Sequence, residues 1–363
     1  MPDSDRFSPA RQLLSEAVDR AFPGCVVEVG RAKTVLWQQA FGSYAGDASS
    51  PVDLDTVYDL ASLTKVIATT SIAMRLADAR RLSLDTPVRS WLKDWRGDDR
   101  SGVTVRDLLA HAAGLTAYAP FYRDCRGRAE FEAAICELPL EYEPRSRSIY
   151  SDLGFILLAF IAADAAAVSF ERQFETFCDE AGLDGLSFGA PADTRERTAP
   201  TGDDPWRGRR LVGEVHDANA WALGGVAGHA GLFGTARAVG AFARLVLRAI
   251  RTSHGLDVAD RRCELGVAPS TVAEFACRTT VPGSSRALGW DTMLPTSSCG
   301  RRMSPTAIGH TGFTGTSLWI DWEADLYAVL LSNRVQLSPP SDAILAVRPA
   351  FHDAVTAALH ATA

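Results

Sequence analysis

Apolar residues recur at helical spacing over Ser8–Ala21, and Pro23-Gly24 ends that pattern. The period then shortens. Cys25–Gly30 and Thr34–Phe41 are strand-like runs joined by a short Arg-Ala-Lys turn, which predicts a hairpin. Thr56–Leu60 is again strand-like. From Ser62 to about Arg80 apolar residues lie on nearly every side (Leu63, Val66, Ile67, Ile72, Ala73, Met74, Leu76, Ala77), the mark of a buried helix. Asp85-Thr86-Pro87 reads as a cap with a first-turn proline opening a short helix to Trp95. Thr104–Ala112 predicts another, ending at Gly114.

The middle of the chain is helical in pattern, over Ala129–Glu137, Asp152–Val168 and Phe170–Ala181. Leu183–Asp217 turns to Gly, Pro and charge, and predicts a long surface loop of the type that rims a site. Thr235 caps an amphipathic helix to Ile250. Ala307–Gly312, Ser317–Asp321 and Leu326–Ser332 then read as an antiparallel meander, with a last helix over Pro349–Ala361. Strands at both ends and helices between them imply one sheet assembled from distant parts of the chain. The expected class is α/β (α+β): a sheet region from residues 1–80 and 201–363, and a helical region over 81–200, packed as one unit.

Composition narrows the function classes. The net charge of −7 with no basic run argues against nucleic acid. The longest apolar run, Leu153–Ala163, has 11 residues, short of the ~20 a membrane span needs, so no membrane insertion is expected. Seven cysteines without a CxxC pair indicate neither a zinc ribbon nor a disulfide framework. The charged N-terminus lacks the apolar core of a signal peptide, and a cytoplasmic location is the expectation.

Charge chemistry singles out one position. Of 37 basic residues only three are lysines, Lys33, Lys65 and Lys93. A lysine is irreplaceable where the amine must give up its proton, since guanidinium stays charged. Lys65 stands three residues after Ser62, on the same face of the buried helix, so a deprotonated amine could take the serine proton. The alternative is a helix-capping serine beside a snorkelling lysine. A second element is Tyr150-Ser151-Asp152, at the start of an apolar helix. Tyr150 beside an amine can relay a proton; Asp152 reads equally as a helix cap or as a site residue. A third is His310-Thr311-Gly312 followed by Phe313, a strand end in small residues whose backbone N–H can face a carbonyl oxygen. The competing reading there is an ordinary sheet histidine.

Ser-x-x-Lys, Tyr-Ser-Asp and His-Thr-Gly, separated by 88 and 160 residues, resemble the three signatures of the serine β-lactamase and penicillin-binding-protein family, in its class C and carboxypeptidase/esterase branch. Leu109–Leu115 and Gly228–Thr235 are similar to two further family segments. The resemblance implies the DD-peptidase/β-lactamase fold, an antiparallel sheet flanked by helices with an inserted all-helical region. It also implies a Ser62 acyl-enzyme. Ser62, Lys65 and Tyr150 would be catalytic. The Ser62 and Phe313 N–H groups would hold the oxyanion, and Asp152, His310, Thr311 and Gly312 would contact substrate.

Two departures matter: Asp152 stands for the usual Asn, and His310 for the usual Lys. An ionised Asp only accepts hydrogen bonds, and losing the Lys ammonium weakens capture of a substrate carboxylate unless His310 is protonated. Both weigh against an efficient β-lactamase. Together with Gly213–Asp217 they resemble a subgroup associated with muropeptide recycling, including cytoplasmic N-acetylmuramoyl-alanine amidases. The expected partner is a small-molecule or muropeptide substrate, with no cofactor. Rival readings are a carboxylesterase, a weak β-lactamase, and a non-hydrolytic penicillin or muropeptide sensor. His216-Asp217 with His229 lacks tight metal-ligand spacing and reads as hydrogen-bonded loop histidines. His111, near a helix end, reads as a partner of the helix dipole.

Overall fold

The structure is a computed structural model and describes residues 6–46, 50–257 and 262–360. The chain opens with α1 (Ser8–Ala17) and the expected hairpin, β1 (Gly24–Gly30) and β2 (Val35–Gly42). A two-residue strand, β3 (Tyr58–Asp59), leads to a helix over 63–78, wound as a π-helix across Lys65–Thr70 and as α2 from Ser71 to Asp78. The helical region holds α3 (Val105–Leu109), α4 (Gly127–Glu137), α5 (Asp152–Ala166) and α6 (Phe170–Ala181). Short strands follow, β4 (Leu186–Phe188), β5 (Asp203–Asp204) and β6 (Arg209–Arg210), then α7 (Ala218–Ala222) and β7 (Leu232–Gly234). The last third contains α8 (Ala236–Ser253), α9 (Pro269–Ala276), β8 (Asp291–Thr292), β9 (Ile308–Thr311), β10 (Ser317–Asp321), β11 (Leu326–Ser332) and α10 (Ile344–His360).

The main sheet is antiparallel, in the order β2-β1-β11-β10-β9-β8. Its centre joins the first hairpin to the last strand, with Val27 opposite Leu330 and Cys25 opposite Ser332. Both faces are covered, which is why β1, β10 and β11 are buried along their whole length. Alternate residues explain the two cores. Val27, Val29, Ala328 and Leu330 pack with Leu14 of α1 and Phe351 and Val355 of α10. Val26, Val329 and Leu331 face Val239, Phe242 and Val246 of α8. That second core runs on through α2 and α5 into the helical region.

Several expectations are corrected. The helix from Asp85 to Trp95 is only a single 3-10 turn, Val88–Ser90, because Val88 N–H donates to Val103 and Pro87 bridges to Thr104. Leu183–Asp217 is not structureless: β4 pairs with β7 in a small sheet ordered β3-β7-β4, and β5 pairs with β6. The last helix begins at Ile344, with Pro349 inside it. The bond Pro349 cannot make is to the carbonyl of Leu345, an exposed residue where water can substitute. The expected end at Ala361 lies outside the described residues. Between 81 and 200 the longer elements are helical, β4 excepted. No single helix among the described residues is long and apolar enough to cross a membrane.

Candidate active site

Ser62 sits in the turn between β3 and the buried helix. The turn is strained, since Ala61 has φ of 48°, a region L-residues rarely adopt. Local bonds hold it there: Ala61 N–H donates to Asp59 Oδ1 at 2.8 Å, and Thr64 Oγ1 donates to the Ala61 carbonyl at 2.6 Å. Asp59 is buried and accepts a second bond, from the His216 N–H at 2.7 Å. Burial pushes its carboxyl up to about 6 against the pull of these two donors.

Lys65 is fully buried, one helical turn on, and all three of its N–H donors are taken. Its Nζ lies 3.0 Å from Ser62 Oγ, 2.7 Å from Asp152 Oδ1 and 3.0 Å from the His229 carbonyl. Burial alone would lower the pKa of the amine; the charges of Asp152 and Tyr150 more than offset it and the net displacement is upward. The resting group is therefore an ammonium, not the free amine expected from its apolar helix. Sequence could not supply the reason, because Asp152 is 87 residues away.

Tyr150 Oη donates to Ser62 Oγ at 2.7 Å. Burial holds this phenol above its ordinary pKa despite the neighbouring Lys65. Residues 149–152 are strapped to the segment 111–117: Ile149 N–H donates to the His111 carbonyl, Ser151 N–H to His111 Nδ1, and Asp152 N–H to the Ala117 carbonyl, each at 3.0 Å. His111 is packed between the Tyr150 and Phe155 rings, and burial lowers its pKa well below the usual range. It is a neutral brace, which corrects its reading as a cationic partner of a helix dipole. Asp152 opens α5 without capping it with its side chain.

The His310 segment closes the cavity. Gly312 lies so near β3 that a Cβ would meet the Leu60 carbonyl at 2.7 Å and Ala61 Cβ at 3.1 Å. That approach brings Phe313 beside the Ser62 turn, and neither the Ser62 nor the Phe313 N–H has an acceptor among the described residues. His310 is buried, its Nδ1 against the Thr311 carbonyl at 2.8 Å and its Nε2 unpartnered. Burial, with Arg286 and Lys65 nearby, takes its pKa well below the ordinary value, so it brings no charge. Thr311 is part-exposed on the same wall of the cavity.

Four residues of the site carried no sequence signal of their role. Arg286 lines the cavity with its guanidinium 5.1 Å from the Tyr150 ring centre, and its side chain is only 19% exposed. Its backbone is fixed through Ser284 and Thr279. The guanidinium itself makes no hydrogen bond among the described residues; its ion pair with Asp291 is long, at 4.0 Å. Nothing local marks it among so many arginines. Asp59 was unremarkable as a strand residue, and Tyr118 as a loop residue. Asp217, first weighed as a metal ligand with His229, instead caps α7 and meets His229 Nε2 at 2.9 Å. Burial opposes its charge, but His229 and the Ala220 N–H bring its pKa down to about 2. No cluster with metal-ligand geometry occurs among the described residues.

A serine hydroxyl within hydrogen-bond reach of a buried lysine and a tyrosine, beneath two free amides, is a recognisable arrangement, and the sequence agrees with it. A profile of the β-lactamase family matches residues 10–350. The chain belongs to the β-lactamase family. A relative from Salmonella gallinarum, named "Putative D-alanyl-D-alanine carboxypeptidase", is 30% identical over 92% of this chain and 83% of its own. Among solved structures, EstCE1, a hydrolase with promiscuous acyltransferase activity, superposes with a TM-score of 0.75 at 21% identity, covering 98% of this chain and 99% of its own. A class C β-lactamase from Rhodobacter sphaeroides gives 0.72 at 20% identity, with coverages of 98% and 99%. At such identities the two structures establish the fold, which is that of the β-lactamases and penicillin-binding proteins. The protein is a serine hydrolase of this family.

Proposed function

We propose that the protein hydrolyses an amide of a peptidoglycan-derived fragment bearing a free carboxylate, through an acyl-enzyme on Ser62. The observation that carries this is the placing of Ser62 Oγ 2.7 Å from Tyr150 Oη and 3.0 Å from Lys65 Nζ. Because the resting lysine is an ammonium paired with Asp152, the first event is transfer of a Lys65 proton to Asp152 across their 2.7 Å contact. Substrate that excludes water favours this step, since a neutral pair costs less than a charged one in an apolar site. The free amine then takes the Ser62 proton as Oγ attacks the carbonyl, and the Ser62 and Phe313 N–H groups hold the oxyanion. Tyr150 protonates the leaving nitrogen and is reprotonated from Lys65. Water, losing its proton by the same route, releases the acyl group.

Arg286 supports the carboxylate. With His310 neutral, it is the cavity cation nearest Tyr150 that has no hydrogen-bonded partner, whereas Arg334 and Arg348 are engaged with the Phe313, Gly312 and Thr316 carbonyls. A fixed arginine fork suits a carboxylate. The name of the Salmonella relative points the same way, toward peptides ending in D-alanine. The test is intact mass and product over time for wild type and Ser62→Ala, with D-alanyl-D-alanine peptides, N-acetylmuramoyl-L-alanyl peptides, a p-nitrophenyl ester and a penicillin. Ser62-dependent amide cleavage is the expected result. Turnover of the ester alone would sink the amide reading in favour of an esterase, and a stable adduct without product would make the protein a sensor.

A further inference from the structure

The cavity reaches well beyond the groups that touch Ser62. It encloses about 710 Å³, and its far side is lined by Tyr118, Tyr122, Asp203, Asp204, Pro205 and Asp217. The large aromatic side chains that stay exposed among the described residues are Tyr118 (46%), Trp206 (41%) and Phe313 (58%); Tyr118 and Phe313 line the cavity, and Trp206 packs on Tyr122, which lines it too. Exposed apolar surface gathered at one place marks a binding surface. Tyr122 meets Trp206 edge-on with ring centres 4.8 Å apart, and Trp206 meets Trp221 in the same way at 5.2 Å. Tyr118 is close enough to Asp217 and Asp152 for burial and their charges to push its phenol up to about 12, and its hydroxyl has no hydrogen-bond partner among the described residues. One Asp217 oxygen is occupied by Ala220 and His229, leaving the other without a donor.

We propose that this wall is a pyranose subsite, so that the substrate carries a sugar ring next to the scissile amide. The weakly positive C–H face of a pyranose stacks on an aromatic ring, and its hydroxyls donate to carboxylates such as Asp217 and Asp203. Other occupants fit less well. A cation would be drawn to the rings, but Arg123 already lies 5.7 Å from the Tyr122 ring centre and Arg126 5.6 Å from that of Trp206. An aliphatic acyl chain would bury the rim carboxylates without a donor, at a cost. The inference builds on the Ser62 hydrolase reading, and it separates a glycan-linked amide from the D-alanyl peptides that reading also admits.

The experiment compares two amides that differ only in the sugar: N-acetylmuramoyl-L-alanyl-D-glutamate and N-lactoyl-L-alanyl-D-glutamate. The expected wild-type preference for the first, in kcat/KM, falls about tenfold in the double variant Tyr118→Ala/Trp206→Ala, mainly through KM. Trp206→Phe, which keeps a ring, recovers most of it. In parallel, methyl N-acetyl-β-glucosaminide is titrated into Ser62→Ala protein, with tryptophan fluorescence and saturation-transfer NMR as readouts. Saturable binding that the double variant loses supports the subsite. Equal turnover of the two amides, no sugar binding, or displacement of the sugar by butylammonium at lower concentration would each overturn it. If neither amide is cleaved, the hydrolase reading fails and the sugar titration still decides the subsite. If Ser62-dependent cleavage occurs without sugar preference, the reverse holds.

Discussion

The two walls of the cavity differ in how their cations are partnered. On the Lys65 wall every donor of the buried amine has an acceptor, and each acceptor is itself held by the fold. His229, whose carbonyl is one of them, is anchored through its ring to Asp217. The neighbouring carbonyl of Gly228 accepts from Thr69 at 2.6 Å, and Leu232 N–H donates to Thr64 at 3.1 Å, so the strand end is fastened to the helix. On the opposite wall His310 Nε2 and Arg348 Nε are buried without partners, and the Arg286 guanidinium, 4.0 Å from Asp291, makes no hydrogen bond among the described residues. An unsatisfied buried polar atom costs about 1–3 kcal/mol. Unpartnered ring nitrogens occur on both sides, His229 Nδ1 as well as His310 Nε2, but among the described lining residues a cation without a hydrogen-bonded partner stands only on the second wall. The first wall is set for proton movement, the second for recognition.

Mutation separates the two walls. Lys65→Arg keeps a charge for Asp152 but cannot yield a proton, so amide turnover should fall by roughly three orders of magnitude while the protein stays folded. Near-normal turnover would mean that the lysine serves only as a charge. Gly228→Ala attacks the fastening itself: a Cβ there would lie 2.0 Å from the Phe155 carbonyl. Thermal denaturation should reveal a loss of about 1–3 kcal/mol, with activity lost in proportion; an unchanged melting temperature would show that the strand end can shift freely. On the recognition wall, Arg286→Ala should raise KM for a carboxylate-bearing substrate about 10–100-fold, from the ~1.5–3 kcal/mol of a charged hydrogen bond. A neutral p-nitrophenyl ester should respond far less, and equal losses on both would place Arg286 in the chemistry instead.

The smallest effect is the most discriminating. Asp152 holds the Lys65 pKa up, so Asp152→Asn should let it fall. Without Asp152 the Lys65 proton has no carboxylate to move to, so the base form requires the amine to lose that proton to solvent. The acid limb of the kcat/KM profile should therefore move toward higher pH, to the variant's Lys65 pKa, and a limb that stays in place or moves downward would remove Asp152 from the proton path. The Lys65–Asp152 pair also has a stability signature of known sign. A raised lysine pKa in the folded state contributes stability that is complete below the unfolded value and disappears as pH climbs through the folded one. Wild type should therefore lose stability relative to Asp152→Asn only on the alkaline side of lysine's usual pKa of 10.5.

Much of the frame was legible along the chain. Period-two runs at both ends located the strands, and the all-round apolar helix after Ser62 announced burial, because each is a local pattern repeated over several residues. Where one residue carried the decision the reading slipped, as at Pro349, which lies within α10 rather than at its start. The scarcity of lysine singled out Lys65, and three short motifs identified the family. Sequence also named Ser62, Lys65, Tyr150 and His310 as members of one constellation, and the structure brings them together.

Charge state and recognition were decided only in three dimensions. Whether Lys65 is an amine or an ammonium depends on a carboxylate 2.7 Å away in space and 87 residues away in sequence. Whether His310 carries charge depends on burial beside Arg286, which reaches the cavity from a Gly- and Ser-containing loop with no motif. Such properties follow from the Coulomb and desolvation energies of groups that the fold makes neighbours, and these vary with distances that no local pattern encodes. Residue identity fixes which chemistry is available; tertiary packing fixes which protonation state and which ligand that chemistry meets.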